Sequence, residues 1–456
     1  MLGLSIFSII ILTLLATLWQ KYGRRDATVI SEKETKIERL QRLAAHDEVA
    51  ASLATLINRD GAGDWPPRSN YKCWPKELLP YQKILLEVLP SLATRDPSLD
   101  AATDVKRRGQ FRESMEKLLR ENVHLPSVIE VLSEIETNTW ENLSRDALNG
   151  FFCCIALSRH AYRWALMPVV KVAQVEDVVV LPAELDFPWP YLQRYFGFEA
   201  DSGNHTSNVL LNFGEDGMRA FIFNSTLPLE IQSTEEAFFR LLHDIESMGF
   251  DIFYEIVIAI ISLREGRSDS CLESLREIDV ILSRSLNLFH AQMREGQISR
   301  KFWLSYVQGF HGWGVGRHIN SNFVRFNGVS GNHILLFQVL DAFLGMERYL
   351  SDEDMALYIP LHQRLLCQTV KKHSIRQHIG DDDSEVAKVC ENIVRKLKAY
   401  RSAHRSRVMP YLKQPAPERF HMTAGKSVLT TDLNVSIDEA IAPLDKMLAT
   451  RLSETR

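Results

Sequence analysis

The chain has 456 residues, 45% of them apolar and 24% charged, proportions of an ordinary globular protein with room for one large helical domain and a smaller partner. A formal net charge of −5 provides no basic footprint and argues against nucleic acid as a partner. The cysteines (Cys73, Cys153, Cys154, Cys271, Cys367, Cys390) form no C-x-x-C pair and no zinc spacing, so they read as buried or free thiols in a reducing compartment.

In chain order, residues 2–19 come first as an uncharged, apolar run followed at once by Lys21, Arg24 and Arg25. At about 1.5 Å per residue such a run nearly spans a hydrocarbon core of roughly 30 Å. Basic residues after the run, and the bulky Trp19–Tyr22 stretch, fit an uncleaved single-pass anchor better than a cleavable signal peptide. The positive-inside rule then leaves the body of the chain in the cytoplasm, a topology that glycosylation at Asn142, Asn204, Asn224 or Asn434 would reverse. A polar linker spans 27–36, and helical spacing starts at Ile37 and stops in the turn-rich Asp60–Pro67. Further helices are predicted at Pro80–Leu92, Val105–Glu121, Pro126–Glu136 and Arg145–Trp164, then short β-rich pieces at Val178–Leu181, Val209–Phe213 and Phe221–Phe223. Beyond Thr234 nearly everything reads as helix: Glu235–Ser247, Ile252–Arg264, Ser268–Glu295, Lys301–Phe310, His333–Leu350, Pro360–Lys372 and Glu385–Met409. The expected architecture is mostly α. An anchor with its basic flank (1–26) precedes a small helical domain (27–190), a connecting segment (191–233) and a large helical domain (234–456).

Common catalytic signatures are absent, and Gly312–Gly316 follows a helical segment instead of a strand, so it reads as a turn and not a dinucleotide loop. Two features carry more. Asp341 sits inside the apolar run His333–Leu344, where a carboxylate needs a donor, either a backbone turn or arginine on the structural reading or a metal-site imidazole on the functional one. His362 follows Pro360 on the first turn of a helix among Leu361, Leu365 and Leu366; on spacing alone a histidine there is more often structural than a ligand.

Phe337–Gln338, Leu340–Gly345, Ile359–Cys367, Ser374–Arg376, Phe289–His290, Phe302–Trp303, Gly312–Trp313, Ala237–Phe239 and Leu181–Pro182 together resemble the indoleamine 2,3-dioxygenases, over roughly residues 140–435. The resemblance implies a two-domain helical fold with haem b in the larger domain, His362 as the proximal iron ligand and Asp341 as a carboxylate near the haem. It implies O₂ and an indole-type substrate as partners and leaves the electron donor unspecified. On the substrate side, Phe238 and Phe302 match the aromatics that stack on the indole. Departures cluster there: Val307 replaces the arginine for the substrate carboxylate, Leu242 (with His243 beside it) replaces a small hydroxyl residue, and His205, with Asn208 and Val209 nearby, replaces a tyrosine. A glycine-rich serine loop survives in altered form around Ser330 and Gly331, Arg325 is a candidate substitute for the missing clamp, and the flexible lid falls at 423–425 or 430–432. The expected activity is haem-dependent dioxygenation of an indole, either tryptophan or, in preference, a tryptophan-derived or related aromatic compound. The alternatives are another oxidation, such as monooxygenation, or a non-enzymatic haem sensor or carrier with His205 or His243 closing the sixth position.

Overall fold

The structure is a computed structural model that describes residues 32–377, 384–422 and 437–455. The expected anchor, both lid candidates and Asn434 lie outside the described residues, among which no helix is long and apolar enough to cross a membrane. Contacts divide the chain into Met1–Ala54 and Thr55–Arg456. The helices are α1 (32–44), α2 (Glu48–Arg59), α3 (Leu79–Leu92), α4 (Ala101–Asn122), α5 (Leu125–Thr137), α6 (Arg145–Trp164), the short α7 (Lys171–Gln174), α8 (Ala183–Asp186), α9 (Trp189–Phe196) and α10 (His205–Asn208). They continue with α11 (Leu229–Arg264), α12 (Ser268–Gln292), α13 (Arg300–Phe302), α14 (Leu335–Phe343), α15 (Asp352–Tyr358), α16 (Leu361–Lys372), α17 (Glu385–Leu412) and α18 (Ile437–Glu454).

Buried along nearly its whole length, α6 is tied to α4 at its C-terminal end. Arg112 donates to the carbonyls of Tyr162 and Arg163, and Arg108 to that of Trp164, satisfying acceptors that a helix end leaves open. Glu176 neutralises both arginines. The segment 191–233, expected as a bare connection, belongs to the same Thr55–Arg456 unit and packs α10 against α6.

The two helices expected on either side of Gly249 are one 36-residue helix, α11. A Cβ on Gly249 would approach Phe253 and Glu246 to 3.2–3.3 Å, so close packing and not a break explains the glycine. None of the expected β pieces is a strand; Val209–Phe213, Phe221 and Phe223 are buried, whereas Val178 and Val180 are exposed. Glu235, fully buried at the start of α11, accepts from Arg219 Nη1 (2.5 Å) and from the backbone N–H groups of Phe223 (3.1 Å) and Asn224 (3.0 Å), folding the preceding loop onto the helix. The sheet is instead an antiparallel hairpin, Gly316–Ile319 with Asn322–Arg325, directly after the predicted turn. Its two-residue connection has positive φ at both Asn320 (48°) and Ser321 (69°), as a right-twisted hairpin requires.

Behind the hairpin, residues 327–331 are strapped to the 308–311 segment: Val329 N donates to His311 O (2.9 Å) and Gln308 Nε2 to Val329 O (3.1 Å). The approach leaves no room for a side chain at Gly328, whose Cβ would lie 1.9 Å from His311 O. Gly328→Ala is therefore expected to cost at least about 1–3 kcal/mol in urea unfolding, as overpacking does; an unchanged midpoint would show that the strap yields freely.

Candidate active site

A cavity of about 600 Å³ opens among α11, the 303–311 segment, the 327–334 loop, α14, α17 and α18. That volume is typical of a cofactor or ligand site. Phe238, Leu241, Leu242 and Ile245 project into it from α11 with the i, i+3, i+4, i+7 spacing of one helix face. His243, one position off that face, turns instead to Phe213, ring centroids 4.1 Å apart.

The 303–311 segment, expected as a regular helix, is a π-helical turn over Trp303–Gln308 followed by a 3₁₀ turn at Gly309–His311. In a π turn, residues five apart share a face. Trp303 and Gln308 both line the cavity as a result, while Val307 is fully buried away from it. Of the residues expected at the site, His205, Val209, Phe238, Leu242, Ser330, Gly331 and Asp341 line the cavity; Asn208, His243, Phe302, Val307 and His362 do not. Phe302 packs against Tyr306 (5.8 Å), and Arg325, on the hairpin, pairs with Asp177. Asn208 stands one layer behind the wall, its Nδ2 3.2 Å from His311 Nδ1.

On the opposite side, Asp341 meets two arginines: Arg401 Nη2 lies 2.5 Å from Oδ1, and Arg451 binds Oδ2. This is the arginine pairing open to a buried carboxylate on the structural reading. Asp341→Ala would leave both guanidiniums uncompensated in a largely buried place and is expected to destabilise the protein by about 3–5 kcal/mol. A loss below about 1 kcal/mol in chemical unfolding would contradict this account.

One turn along α17 from Arg401 is His404. Its ring packs against Phe289 (5.7 Å) and Tyr400 (5.9 Å) and lines the cavity, and neither nitrogen has a hydrogen-bond partner among the described residues. Burial pushes its pKa down to about 4, so the imidazole is neutral with a free lone pair. His404 is not among the residues expected at the site, although the sequence carries its signal: Cys390, Ile393, Leu397, Tyr400, His404, Val408 and Tyr411 repeat at three- and four-residue steps, and His404 continues that inward face.

His362 does lie on the first turn of α16, and it is buried. Its Nδ1, however, is 2.7 Å from Asp60 Oδ1, outside the cavity wall, and its neighbour Gln363 donates to Thr206 Oγ1 (2.8 Å). Asp60 is fully buried; desolvation raises its pKa and the adjacent imidazole pulls it back.

The family model described as indoleamine 2,3-dioxygenase matches residues 109–440, from α4 into α18. The chain belongs to the indoleamine 2,3-dioxygenase family. No curated protein matches it. Members of this family are haem-dependent dioxygenases, which makes the chain an oxidoreductase with haem as cofactor. The cavity fits that group: its walls are mainly aromatic and aliphatic, His404 offers an unbonded imidazole, and Arg401 and Arg451 bring two cations against one carboxylate, leaving positive charge for haem carboxylates.

Proposed function

We propose that the chain oxidises an indole-type aromatic compound with O₂, the haem being seated in the α11–α17 cavity and its iron held by His404. The observation that carries this reading is the neutral imidazole of His404 on the cavity wall, one turn from Arg401 and without a hydrogen-bond partner among the described residues. It moves the ligand reading away from His362, whose Nδ1 is engaged by Asp60 outside the wall. When bound, ferrous haem supplies the activation of O₂ for attack on the indole C2–C3 bond. The chain itself supplies shape and dryness. Phe238 and Trp303, ring centroids 5.6 Å apart, bound one side of the space for a flat ring, and Leu241, Leu242 and Ile245 exclude water. No proton donor or acceptor is assigned, since burial keeps His205 at about 3 and His333 at about 4, both neutral at physiological pH.

Incubation with ¹⁸O₂ tests the reaction type: two labelled atoms in the product are expected, and a single atom would replace dioxygenation by monooxygenation. A second reading, a haem sensor or carrier, is favoured by one observation: His205 also lines the cavity with its Nε2 unpartnered. A low-spin, six-coordinate reduced spectrum that disappears in His205→Ala would support it.

Residues 2–19 we read as a membrane anchor, on the strength of the uncharged run and the basic residues behind it. Asn204 and Asn224 are buried, so among the described sequons only the exposed Asn142 can report the topology by glycosylation.

A further inference from the structure

The helix α18 meets the rest of the protein on two unlike sides. Toward α17 it is tied by charge and polar bonds in antiparallel order. Lys413 Nζ lies 2.5 Å from Asp438 Oδ1, Arg405 donates to both oxygens of Asp445 (2.7 Å each), and Arg401 Nη1 donates to Thr455 Oγ1 (2.6 Å). Arg451 adds its pair with Asp341 of α14 and a bond to Glu347 O (2.6 Å). These ties differ in exposure. The Arg405 and Asp445 side chains are 36% and 35% exposed, where salt screens them; Arg451 and Asp341, at 7% and 9%, lie beyond its reach.

The apolar side faces the cavity. Pro443, Leu444, Met447 and Leu448 recur at helical spacing, and all four line it. None of the four is buried by the protein itself, and among the described apolar residues of α18 only Ile441 is. On the facing wall, Phe238, Leu241 and Ile245 of α11 line the same cavity and are buried by their own neighbours. An apolar helix stripe stabilises its helix only as far as something covers it. Here the covering surface is that of whatever fills the cavity.

We infer that α18 is a movable wall: it docks when haem fills the cavity, loosens when haem leaves, and its undocking is the step that releases haem. This rests on the reading above that haem is seated in the α11–α17 cavity. A group that binds only the docked arrangement stabilises it, and its loss proceeds through the local opening. Arg405–Asp445 and Lys413–Asp438 are the ties that salt weakens, so ionic strength sets how often the wall opens.

The test uses the full chain loaded with hemin, and follows haem loss as transfer to excess apomyoglobin. The rate is expected to rise roughly threefold or more between about 0.02 and 0.5 M salt. Arg405→Gln, which removes no residue of the cavity wall, should raise the low-salt rate roughly threefold and flatten the salt dependence, and the exchanged pair Arg405→Asp with Asp445→Arg should restore both. Amide hydrogen exchange in α18 should be at least roughly tenfold faster in the haem-free chain, while α6, buried along its length, changes far less. A haem-loss rate indifferent to salt and to Arg405→Gln, or an α18 that exchanges alike in both forms, overturns the inference and leaves haem in the cavity. A chain that takes up no hemin removes both readings.

Discussion

His404→Ala is expected to leave the purified protein without haem, while His362→Ala stays coloured. Removing even an outer partner of a metal ligand typically costs 10–100-fold in metal affinity, so removing the ligand itself should cost at least roughly 100-fold. The absorbance of hemin titrated into each apo variant measures this directly. Free imidazole should restore a histidine-type spectrum to His404→Ala, because the space left beside Phe289 and Tyr400 is the size of the ring removed. His362→Ala acts elsewhere. It strands the Asp60 carboxylate, whose Oδ2 already lacks a partner, and so should lower stability more than haem content. The opposite pattern, a colourless His362→Ala beside a normally loaded His404→Ala, would return the iron to α16.

Mild acid should unfold the apo protein early. Burial lowers His160 and His205 to about 3 and His333 and His404 to about 4, and His311 lies well below its ordinary value. All five stay neutral in the folded chain at pH values where the unfolded chain takes up protons. Their contribution is therefore present above pH 6.5, the unfolded value, and is lost as pH falls from there toward 4. Between pH 6.5 and 5.5 each such histidine costs about 1 kcal/mol, or about 5 kcal/mol together, before most carboxylates begin to protonate. The urea midpoint should be nearly flat from pH 7.5 to 7 and drop by about 1 M or more by pH 5.5. Equal midpoints at 6.5 and 5.5 would mean that these imidazoles are protonated or hydrated in the folded state.

The helical character and several element bounds were legible in the sequence because long apolar periodicities carry them. Arg145–Trp164 is read to the residue, and Pro80, Pro126 and Pro360 mark true helix starts. Phe238 and Leu242, expected on the substrate side, line the cavity for the same reason, a clean helical face. What failed depends on long-range packing. Val209–Phe213 and Phe221–Phe223 carry strand-like composition, but the first is a buried turn over Leu210–Asn212 and the second is drawn onto α11 by the bond from Phe223 N to Glu235. The hairpin, largely exposed on both strands, has no hydrophobic alternation to announce it. No spacing rule foresees the π turn that swings Val307 out and Gln308 in. As for the iron ligand, the resemblance points to a short proline-led segment around His362, whereas the proposed His404 belongs to a longer and quieter repeat.

The cavity is closed by a helix far along the chain from its other walls. Pro443, Leu444, Met447, Leu448 and Arg451 of α18 form part of its wall, and Arg451 reaches back to Asp341, 110 positions earlier in the chain. A nascent chain that has not yet emitted residue 437 would present the other walls as an open trough, with Asp341 holding Arg401 alone. The enclosure of the cavity is therefore tied by charge to α18, and the same ion pair that neutralises Asp341 also fastens that wall.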